Sequence, residues 1–523
     1  MKTEENVTDN LKLLHNRSGK LYLLCVAVGA ITGFIVSLYR LVLDHANVFR
    51  KMIVENSVIK GPQFIFIVWI AFILIGFVLD WIAKKYPKIS GSGIPQVKGI
   101  LMRQLDYLNW FQELIAKFVS GVLGIGAGLS LGREGPSVQI GSYVAFGATK
   151  IFDRDVVEKK YLITSGASAG LAGAFGAPLS GVMFALEELH RFISAKLLIC
   201  AFLASIASNF MGRRLFGLST SFDLIAHYPR NMNPYYQFAL YIILGIIIAF
   251  LGKLFTVMLL KAQDLYKTPK VSRWLKVSFV MSTSLLLCYF LPEVTAGGHS
   301  LVEEMVTSKN TIAILSFIFI VKLLFTVFSY ATGFAGGIFL PMLVLGAVVG
   351  KIYAIFLIRY LDFPPEFVSH FMVLGMAGYF VAVVRAPITG AVLILEMTGN
   401  FDHMLALATV SVVAYYVTDI LGVEPVYELL YERMAKDVPD EKVHKGKKTL
   451  ITIPVVGESE LEGKKVCELN LSEDTLIVAV RRNDHDIVPK GNTIIKGGDL
   501  VVFLIPKEKA FELKEMFLKQ GLN

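Results

Sequence analysis

Glu134 is the residue that is hardest to explain by packing alone, because its side chain is ionisable. It lies in the sequence GREGP (132–136), with apolar, glycine-rich residues on both sides. A carboxylate at membrane depth costs roughly 3 kcal/mol or more, so it is kept only where it pairs, meets water or has a function. The glycines and the proline around it interrupt a helix and free backbone N–H groups. This arrangement predicts a device that handles protons or anions.

Three segments of the chain share this glycine–proline pattern: GSGIP (91–95), GREGP (132–136) and GGIFLP (336–341). Proline favours the first turn of a helix, so each segment predicts a loop that opens a helix. The first N–H groups of such a helix have no internal partner, and the helix dipole is positive there. Several of these ends aimed at one point would bind an anion without a full positive charge, and Ser92 adds a hydroxyl donor.

Packing is the alternative explanation for the glycines. Gly124, Gly128 and Gly132 are spaced four residues apart, which fits a small-residue face for close helix contact. We accept this interpretation for Gly124 and Gly128. It does not explain a glutamate between glycine and proline.

The elements that carry these segments are predicted to be membrane helices. Hydrophobic residues make up 54% of the chain and charged residues 18%, against about 25% charged in soluble proteins. Charge-free runs such as Leu21–Tyr39 and Leu323–Gly350 approach or exceed the roughly 20 residues that span a bilayer. Shorter runs, broken by Gly and Pro, predict half-helices. We therefore predict an all-α polytopic protein of the cell membrane. Residues 1–20 are charged and lack the apolar core of a cleaved signal, which makes them a cytoplasmic segment.

Composition also argues against several other classes. The net charge of +9 fits basic loops and both termini on the cytoplasmic side, and no basic-aromatic module suggests nucleic-acid binding. The four cysteines are far apart without a CxxC pair, so neither a disulfide framework nor a metal site is expected. A hydrolase could pair Glu134 with Glu187 or Glu188, but HExxH and GxSxG are absent; no enzyme and no cofactor are predicted. A potassium transporter would need TVGYG-type filters, which are also absent.

The chain repeats itself. Gly132–Pro136 and Gly337–Pro341 share the form G-x-x-x-P at a separation of 205 residues. APLSGVMFALE (177–187) matches APITGAVLILE (386–396) at a separation of 209 residues. Two motifs in the same order at nearly the same separation indicate two homologous halves, roughly 61–215 and 236–422. Such duplication often means inverted repeats that meet at the binding site; parallel duplication is the alternative.

These three glycine–proline signatures, in this order and separation, resemble the CLC family of chloride channels and chloride/proton exchangers. The resemblance covers 21–434, the predicted membrane domain. It implies a homodimer in which each subunit has its own anion pathway. It also implies about eighteen tilted or incomplete helices in two inverted halves, with chloride and protons as substrates.

The resemblance assigns roles to individual residues. Ser92 matches the serine that coordinates the central anion, and Tyr427 matches the tyrosine that closes the inner end; alone, Tyr427 reads as an interface aromatic. Glu134 matches the gating glutamate that competes with chloride and carries the proton. Lys117 matches a buried lysine that gives electrostatic support, with snorkelling to an interface as the alternative. The remaining chloride-binding positions are backbone groups of Ile338 and Phe339, and Gly93, Ile94, Arg133 and Gly135.

The segment Phe184–Leu189 helps to decide whether the protein is an exchanger or a channel. Exchangers of the family carry a second, internal glutamate, which Glu188 matches; Glu187 matches its neighbour and is the repeat counterpart of Glu396. The alternative for Glu188 is a helix-end carboxylate capped by water or Arg191. We predict a chloride/proton antiporter, with a proton-uncoupled channel, gated by voltage or ligand, as the alternative. Ser92 and Tyr427 favour chloride over fluoride.

The chain changes character after residue 434. A charged linker is predicted at 435–448 and a small α/β cytoplasmic domain at 449–523, with strands Leu450–Val455, Leu476–Arg481 and Leu500–Ile505 and a helix Lys509–Lys519. The domain resembles the RCK C-terminal (TrkA-C) regulatory domain of prokaryotic transporters. The resemblance implies a small ligand such as a cyclic dinucleotide, with dimer stabilisation alone as the alternative. The predicted contacts are Arg481, Ile487, Val488, Pro489 and Thr493.

Overall fold

The computed structural model describes residues 2–506 apart from short gaps. The gaps are 103, 106, 108, 153, 155, 191–193, 218–225, 227, 230, 231, 269, 270, 309, 437–447, 456–460, 470, 473, 483 and 484. Side chains are described from residue 18 onward, except also at 156, 436, 448, 449, 486 and 506. The chain divides into two compact units, Met1–Arg433 and Met434–Asn523.

Eight α-helices form the first half of unit one within the described residues. They are α1 Lys2–Lys60, α2 Pro62–Lys85, α3 Ile94–Leu101, α4 Trp110–Gly126, α5 Glu134–Ile151, α6 Val156–Phe175, α7 Pro178–Phe184 and α8 Ala195–Phe216. Pro62 and Pro178 occupy first-turn positions, where the missing N–H costs nothing. A π-helical turn, Ala185–His190, follows α7. α1 runs without a break from Lys2 through the predicted N-terminal segment 1–20.

The second half adds nine described helices, which brings the described total to seventeen. They are α9 Pro234–Lys267, α10 Arg273–Phe290, α11 His299–Thr307, α12 Ile312–Ala331, α13 Phe339–Leu361, α14 Val368–Val384, α15 Pro387–Thr398, α16 Met404–Ile420 and α17 Val426–Lys436. Eight helical segments of the described chain are long and apolar enough to cross a membrane. Large apolar side chains such as Phe66 and Phe279 are more than half exposed, as expected for surfaces that face lipid. The protein is a multi-pass membrane protein.

The two halves are related by an internal twofold axis at Gly132 and Gly337. These residues hold corresponding positions in the repeat. Gly132 N donates to Gly337 O at 2.6 Å, and Gly337 N donates to Gly132 O at 2.8 Å. A residue that exchanges hydrogen bonds with its own counterpart must lie beside a twofold axis, by the geometry of an isologous contact.

Two corresponding lysines follow the same symmetry. Lys117 in α4 and Lys322 in α12 are fully buried, and each ammonium group donates to two backbone carbonyls of a turn, at 2.7–3.0 Å. The acceptors are Ile89 and Gly91 for Lys117, and Val294 and Ala296 for Lys322. The interface-snorkelling alternative for Lys117 is therefore wrong, because the ammonium group is bound inside the protein.

Reciprocal carboxylate caps connect the halves a second time. Glu187 accepts hydrogen bonds from the first turn of α15, and Glu396 accepts them from the first turn of α7. The donors, at 2.5–3.2 Å, are Ile388 N, Thr389 N and Thr389 Oγ1 for Glu187, and Leu179 N, Ser180 N and Ser180 Oγ for Glu396. Carboxylates satisfy the unpaired N–H groups and the dipole of a helix N-terminus. The matched APxxG…LE motifs therefore hold the two halves together.

Unit two contains a four-stranded antiparallel sheet in the order β1-β4-β2-β3. The strands are β1 Lys448–Pro454, β2 Leu476–Arg482, β3 His485–Ile487 and β4 Leu500–Pro506. Three of them match the predicted strands to within two residues, and β3 was not predicted as a strand. The sheet buries an apolar cluster that includes Val480, Val501 and Phe503. The predicted helix Lys509–Lys519 and most of the predicted linker lie outside the described residues.

Asp499 ties this sheet together, and its removal is predicted to weaken it. The buried carboxylate accepts from Arg482 Nε and Nη2, both at 2.7 Å, and from Lys496 N at 2.9 Å. The Arg482 guanidinium lowers the pKa of Asp499. The carboxylate's contribution is thus complete above the unfolded-state pKa, about 3.9, and is lost as the pH falls through the lower folded value. Asp499→Asn should cost about 2 kcal/mol.

Hydrogen exchange of residues 448–506 in the full chain checks this prediction. At pH 7, Asp499→Asn should speed exchange in β2 and β4, whereas Asp474→Asn, at an exposed turn, should not. Lowering the pH below about 3.9 should shrink the difference between Asp499→Asn and the unmodified chain. Equal exchange in both variants at pH 7 contradicts the prediction.

Candidate anion and proton site

The three glycine–proline turns meet at one place. Gly91 N donates to Gly333 O and Phe334 O at 3.3 and 3.2 Å, and Gly336 N donates to Gly91 O at 3.0 Å. Together with the Gly132–Gly337 pair, these bonds join all three turns through their backbones. The convergence that the sequence predicts is present.

The helices that follow the turns begin at this junction. α3 begins after Gly93, whose φ of +94° lies in the left-handed region, where glycine is favoured. α5 begins at Glu134 itself, and α13 begins after Ile338. The first N–H groups of each helix lack intrahelical acceptors. Three helix starts joined in this way supply the donors and partial positive charge that an anion requires.

Three buried side-chain atoms at the junction lack protein partners. Ser92 Oγ, Tyr427 OH and Glu134 Oε2 have no hydrogen-bond partner among the residues that the structure describes, and all three side chains are at most 1% exposed. Ser92 is among the neighbours of the Tyr427 hydroxyl. Buried polar groups without partners cost about 1–3 kcal/mol each. Two buried hydroxyl donors without protein partners are suited to bind an acceptor that is not part of the protein.

Aromatic rings form one wall of the site. The Phe339 ring packs against Phe380, Phe175 and Phe184, at centroid distances of 4.6, 5.2 and 5.9 Å. Phe184 in turn contacts Tyr427 edge to face at 6.5 Å. The start of α13 and the Tyr427 ring, which are far apart in sequence, are therefore held by one apolar cluster.

Glu134 sits in a tight recess of glycine backbone. A methyl group on Gly132 would lie 2.4 Å from Glu134 Oε2 and 3.2 Å from Leu340 N, and the N–H groups of Glu134 and Leu340 face the carboxylate. The Arg133 side chain points elsewhere, to Asp44 Oδ1 at 3.2 Å, and the Asp44 side chain is half exposed. Glu134 is therefore next in the chain to a side chain that reaches a half-exposed carboxylate. The Arg133 guanidinium also interacts electrostatically with the Glu134 carboxylate.

The helix-face interpretation of Gly124 and Gly128 is wrong, although Gly128 is closely packed: a methyl group on it would lie 2.8 Å from Cys288 Sγ and 3.0 Å from Ser284 Oγ. α4 ends at Gly126, so Gly128 and Gly132 do not share a helix face with Gly124. A methyl group on Gly124 would meet nothing closer than 3.8 Å. Gly128 instead forms a turn with φ of +86°.

In the second half, an apolar side chain fills the place that corresponds to Ser92 and the glycine beside it. Gly297 and Leu340 correspond in the repeat to Ser92 and Gly135. A methyl group on Gly135 would lie 2.3 Å from Ser92 Oγ, and one on Gly297 would lie 2.5 Å from Leu340 Cδ2. Where the first half has the Ser92 hydroxyl opposite a bare glycine, the second half has a leucine side chain. The two corresponding places therefore differ: the one in the first half is polar, and the one in the second half is filled by an apolar side chain.

Glu188, the predicted internal proton group, neighbours Tyr427 and belongs to a charged cluster that the sequence did not predict. Lys98 of α3 is fully buried, and its Nζ lies 3.7 Å from Glu188 Oε1. Lys98 also forms a close ion pair with Glu428 of α17, whose side chain is 21% exposed. The one sequence signal was a lysine three residues after GSGIP.

Two of the predicted ligand contacts of unit two, Arg481 and Ile487, lie at the β3 edge of its sheet. Arg481 of β2 pairs with Asp486 of the edge strand β3, which ends at Ile487. Val488 is 80% exposed, and Thr493 Oγ1 accepts from Lys490 N at 2.8 Å. Arg481 is exposed, so a cation and an apolar residue lie on one accessible edge. In the described part of the chain, no three His, Cys, Asp or Glu side chains cluster as metal ligands would.

Comparison with known proteins agrees with this geometry. A family model described as voltage gated chloride channel matches residues 75–419, and a TrkA-C domain model matches 450–518. The H(+)/Cl(-) exchange transporter ClcA of Vibrio parahaemolyticus is 32% identical over 429 residues, which cover 79% of this chain and 90% of the relative.

Solved structures show the same fold. That of a slow cyanobacterial Cl−/H+ antiporter has a TM-score of 0.75 at 30% identity and covers 80% of this chain and 98% of its own. The structure of a CLC-type fluoride/proton antiporter has a TM-score of 0.65 at 23% identity. The match covers 77% of this chain and 96% of the antiporter, and it shows the fold alone. The chain belongs to the CLC family of chloride channels and transporters and carries a C-terminal TrkA-C domain.

Proposed function

We propose that this protein is a chloride/proton antiporter of a prokaryotic cell membrane, with both termini in the cytoplasm. The observation that carries the proposal is the set of buried, unpartnered atoms Ser92 Oγ, Tyr427 OH and Glu134 Oε2 at the junction of three helix starts. Relatives of at least 30% identity named as exchangers support it. Chloride binds between Ser92 and Tyr427. Its other donors are N–H groups at the helix starts, from Gly93, Ile94, Arg133, Gly135, Ile338 and Phe339.

Coupling follows from competition for one site. Ionised Glu134 is itself an anion beside helix N-termini, so it occupies an anion position when chloride is absent. Protonation removes its charge and favours its release from the anion site. Chloride then takes the vacated position, and loss of the proton returns Glu134 to the site. Each cycle therefore links proton movement to anion movement, with Glu188 as the proton group on the inner side.

Reconstituted protein with opposed gradients tests the proposal. Purified protein in liposomes receives an outward chloride gradient at symmetric pH, and proton movement is read with an internal pH dye while chloride is read with an electrode. Uphill proton movement driven by chloride establishes exchange. Fast chloride flux without proton movement overturns it in favour of the uncoupled channel, the alternative that the family description, voltage gated chloride channel, leaves open.

Chloride is proposed as the anion in preference to fluoride. The two side-chain donors, Ser92 and Tyr427, are hydroxyls, and Phe184 and Phe339 line the apolar wall beside them. The weakly hydrated chloride ion suits such a site better than fluoride, which loses more hydration on entry. Fluoride flux faster than chloride flux in the same liposomes contradicts this assignment.

The TrkA-C domain is proposed to regulate transport within a homodimer. The exposed sheet edge with Arg481 and Val488 suits a small anionic ligand with an apolar face, such as a cyclic dinucleotide. Fluorescent cyclic dinucleotide titrated against the full chain tests this, with Arg481→Met as the variant. If no binding is seen at high micromolar concentration, dimer stabilisation is left as the domain's role.

A further inference from the structure

We propose that Lys98 and Glu428 form, with Glu188, the inner proton-exchange cluster of this protein. Glu428 receives the proton from solution, and Lys98 is a positioning residue that holds both carboxylates together. The inference rests on the proposed exchange function and adds two residues to it.

Burial orders the three groups along a path. Glu188 has a side-chain exposure of 3% and Lys98 of 0%, whereas Glu428 has 21%. Solvent therefore reaches Glu428 first. Both carboxylates contact one ammonium group, so their oxygens lie within reach of a single bridging water molecule or a small side-chain rotation. Glu428 is 330 residues from Lys98 in sequence. It directly follows Tyr427 in α17, and the position of this helix brings it to Lys98.

Charge explains why a lysine suits a proton relay. Two buried carboxylates alone repel each other, and one carboxylate paired with lysine has little tendency to take a proton. Two carboxylates around one ammonium group carry a net charge of −1, which one proton neutralises. A proton from the inner solution binds the Glu428 carboxylate and then passes to the Glu188 carboxylate. Glu428 is thereby ionised again, and Lys98 remains an ammonium ion throughout.

Other ionisable groups border the cluster without bridging it. On α17 these are the hydroxyls of Tyr427, which neighbours Glu188, and of Tyr431, which neighbours Glu428. On the π-helical turn, His190 contacts Thr164 of α6 at 3.3 Å and lies near Lys160. Among these described groups, the two carboxylates are the ones joined by a common cation.

Variants with opposite charge changes test the cluster in the liposome assay, with proton and chloride flux recorded at a series of symmetric pH values. Glu428→Gln leaves Glu188 paired with a full positive charge, so half-maximal proton flux should move to more acidic pH by about one unit or more. Lys98→Met leaves two adjacent carboxylates, so it should move to more alkaline pH. Lys98→Arg keeps a positive charge, so its half-maximal proton flux should occur near the pH found for the unmodified protein.

Glu432→Gln is the matched control, because Glu432 lies on the same helix, one turn further on, and is exposed; its proton flux should not change. Opposite shifts of Glu428→Gln and Lys98→Met support the inference. A proton-flux profile of Glu428→Gln equal to that of unmodified protein overturns it, even if Lys98→Met does not fold. Absence of proton flux in the unmodified protein overturns both this inference and exchange, whereas normal coupling with an unchanged Glu428→Gln overturns the inference alone.

Discussion

Glu134→Gln is expected to lower chloride-driven proton flux by about 100-fold or more, while chloride continues to cross. Glutamine has nearly the shape of glutamic acid, so the recess beside Gly132 can still hold it. It has no titratable group and no negative charge, so it neither carries a proton nor replaces chloride among the N–H donors. Proton flux measured with a pH dye in liposomes, beside chloride efflux by electrode, checks the expectation.

The matched control is Glu396→Gln. Glu396 is also a carboxylate bound to backbone N–H groups at the start of a helix, α7. That contact joins the two halves and faces no unpartnered hydroxyl in the described chain. This variant should unfold more easily yet keep its proton-to-chloride ratio. Normal proton flux in Glu134→Gln, or equal loss of coupling in both variants, shows that Glu134 is not the coupling group.

The sequence predicted those parts of the site that lie in contiguous motifs. GSGIP, GREGP and GGIFLP each contain the residues that force a loop and begin a helix, so the three helix starts followed from local chemistry. The repeat predicted that two of these turns correspond, and the structure shows Gly132 hydrogen-bonded to its own counterpart, Gly337. Local rules sufficed because glycine and proline act through the backbone of their own turn.

Contacts between distant segments could not be predicted in the same way. Lys98 and Glu428 meet only because α3 and α17 pack beside the π-helical turn. Neither segment contains a sequence pattern that predicts contact with the other. The repeat showed that Glu187 and Glu396 correspond, but not that each caps the other half's helix. The interpretation of Gly124 as a packing residue failed because four-residue spacing was taken as one helix, whereas α4 ends at Gly126.

Lys117→Met is expected to weaken chloride binding about tenfold. The Lys117 ammonium group holds the carbonyls of Ile89 and Gly91, directly before Ser92, and places a full positive charge behind the turn that faces the anion. Opposite unit charges attract by a few kcal/mol at contact distance when the effective dielectric constant is about 20, and the attraction falls with distance; a tenfold change in affinity is about 1.4 kcal/mol. Part of this attraction is lost when the neutral variant relaxes. Isothermal titration of chloride against purified protein measures the change.

Lys322→Met separates this electrostatic effect from damage to the fold. Lys322 makes the same two contacts to the corresponding turn of the second half, so both variants remove a buried ammonium group and two hydrogen bonds. Their thermal stabilities should therefore change by similar amounts. Beside Lys322 the counterpart of Ser92 is Gly297, and Leu340 fills the space, so no anion is there to lose. Equal weakening of chloride binding in both variants means that Lys117 acts only through the fold; weakening in Lys117→Met alone means that its charge helps to hold the anion.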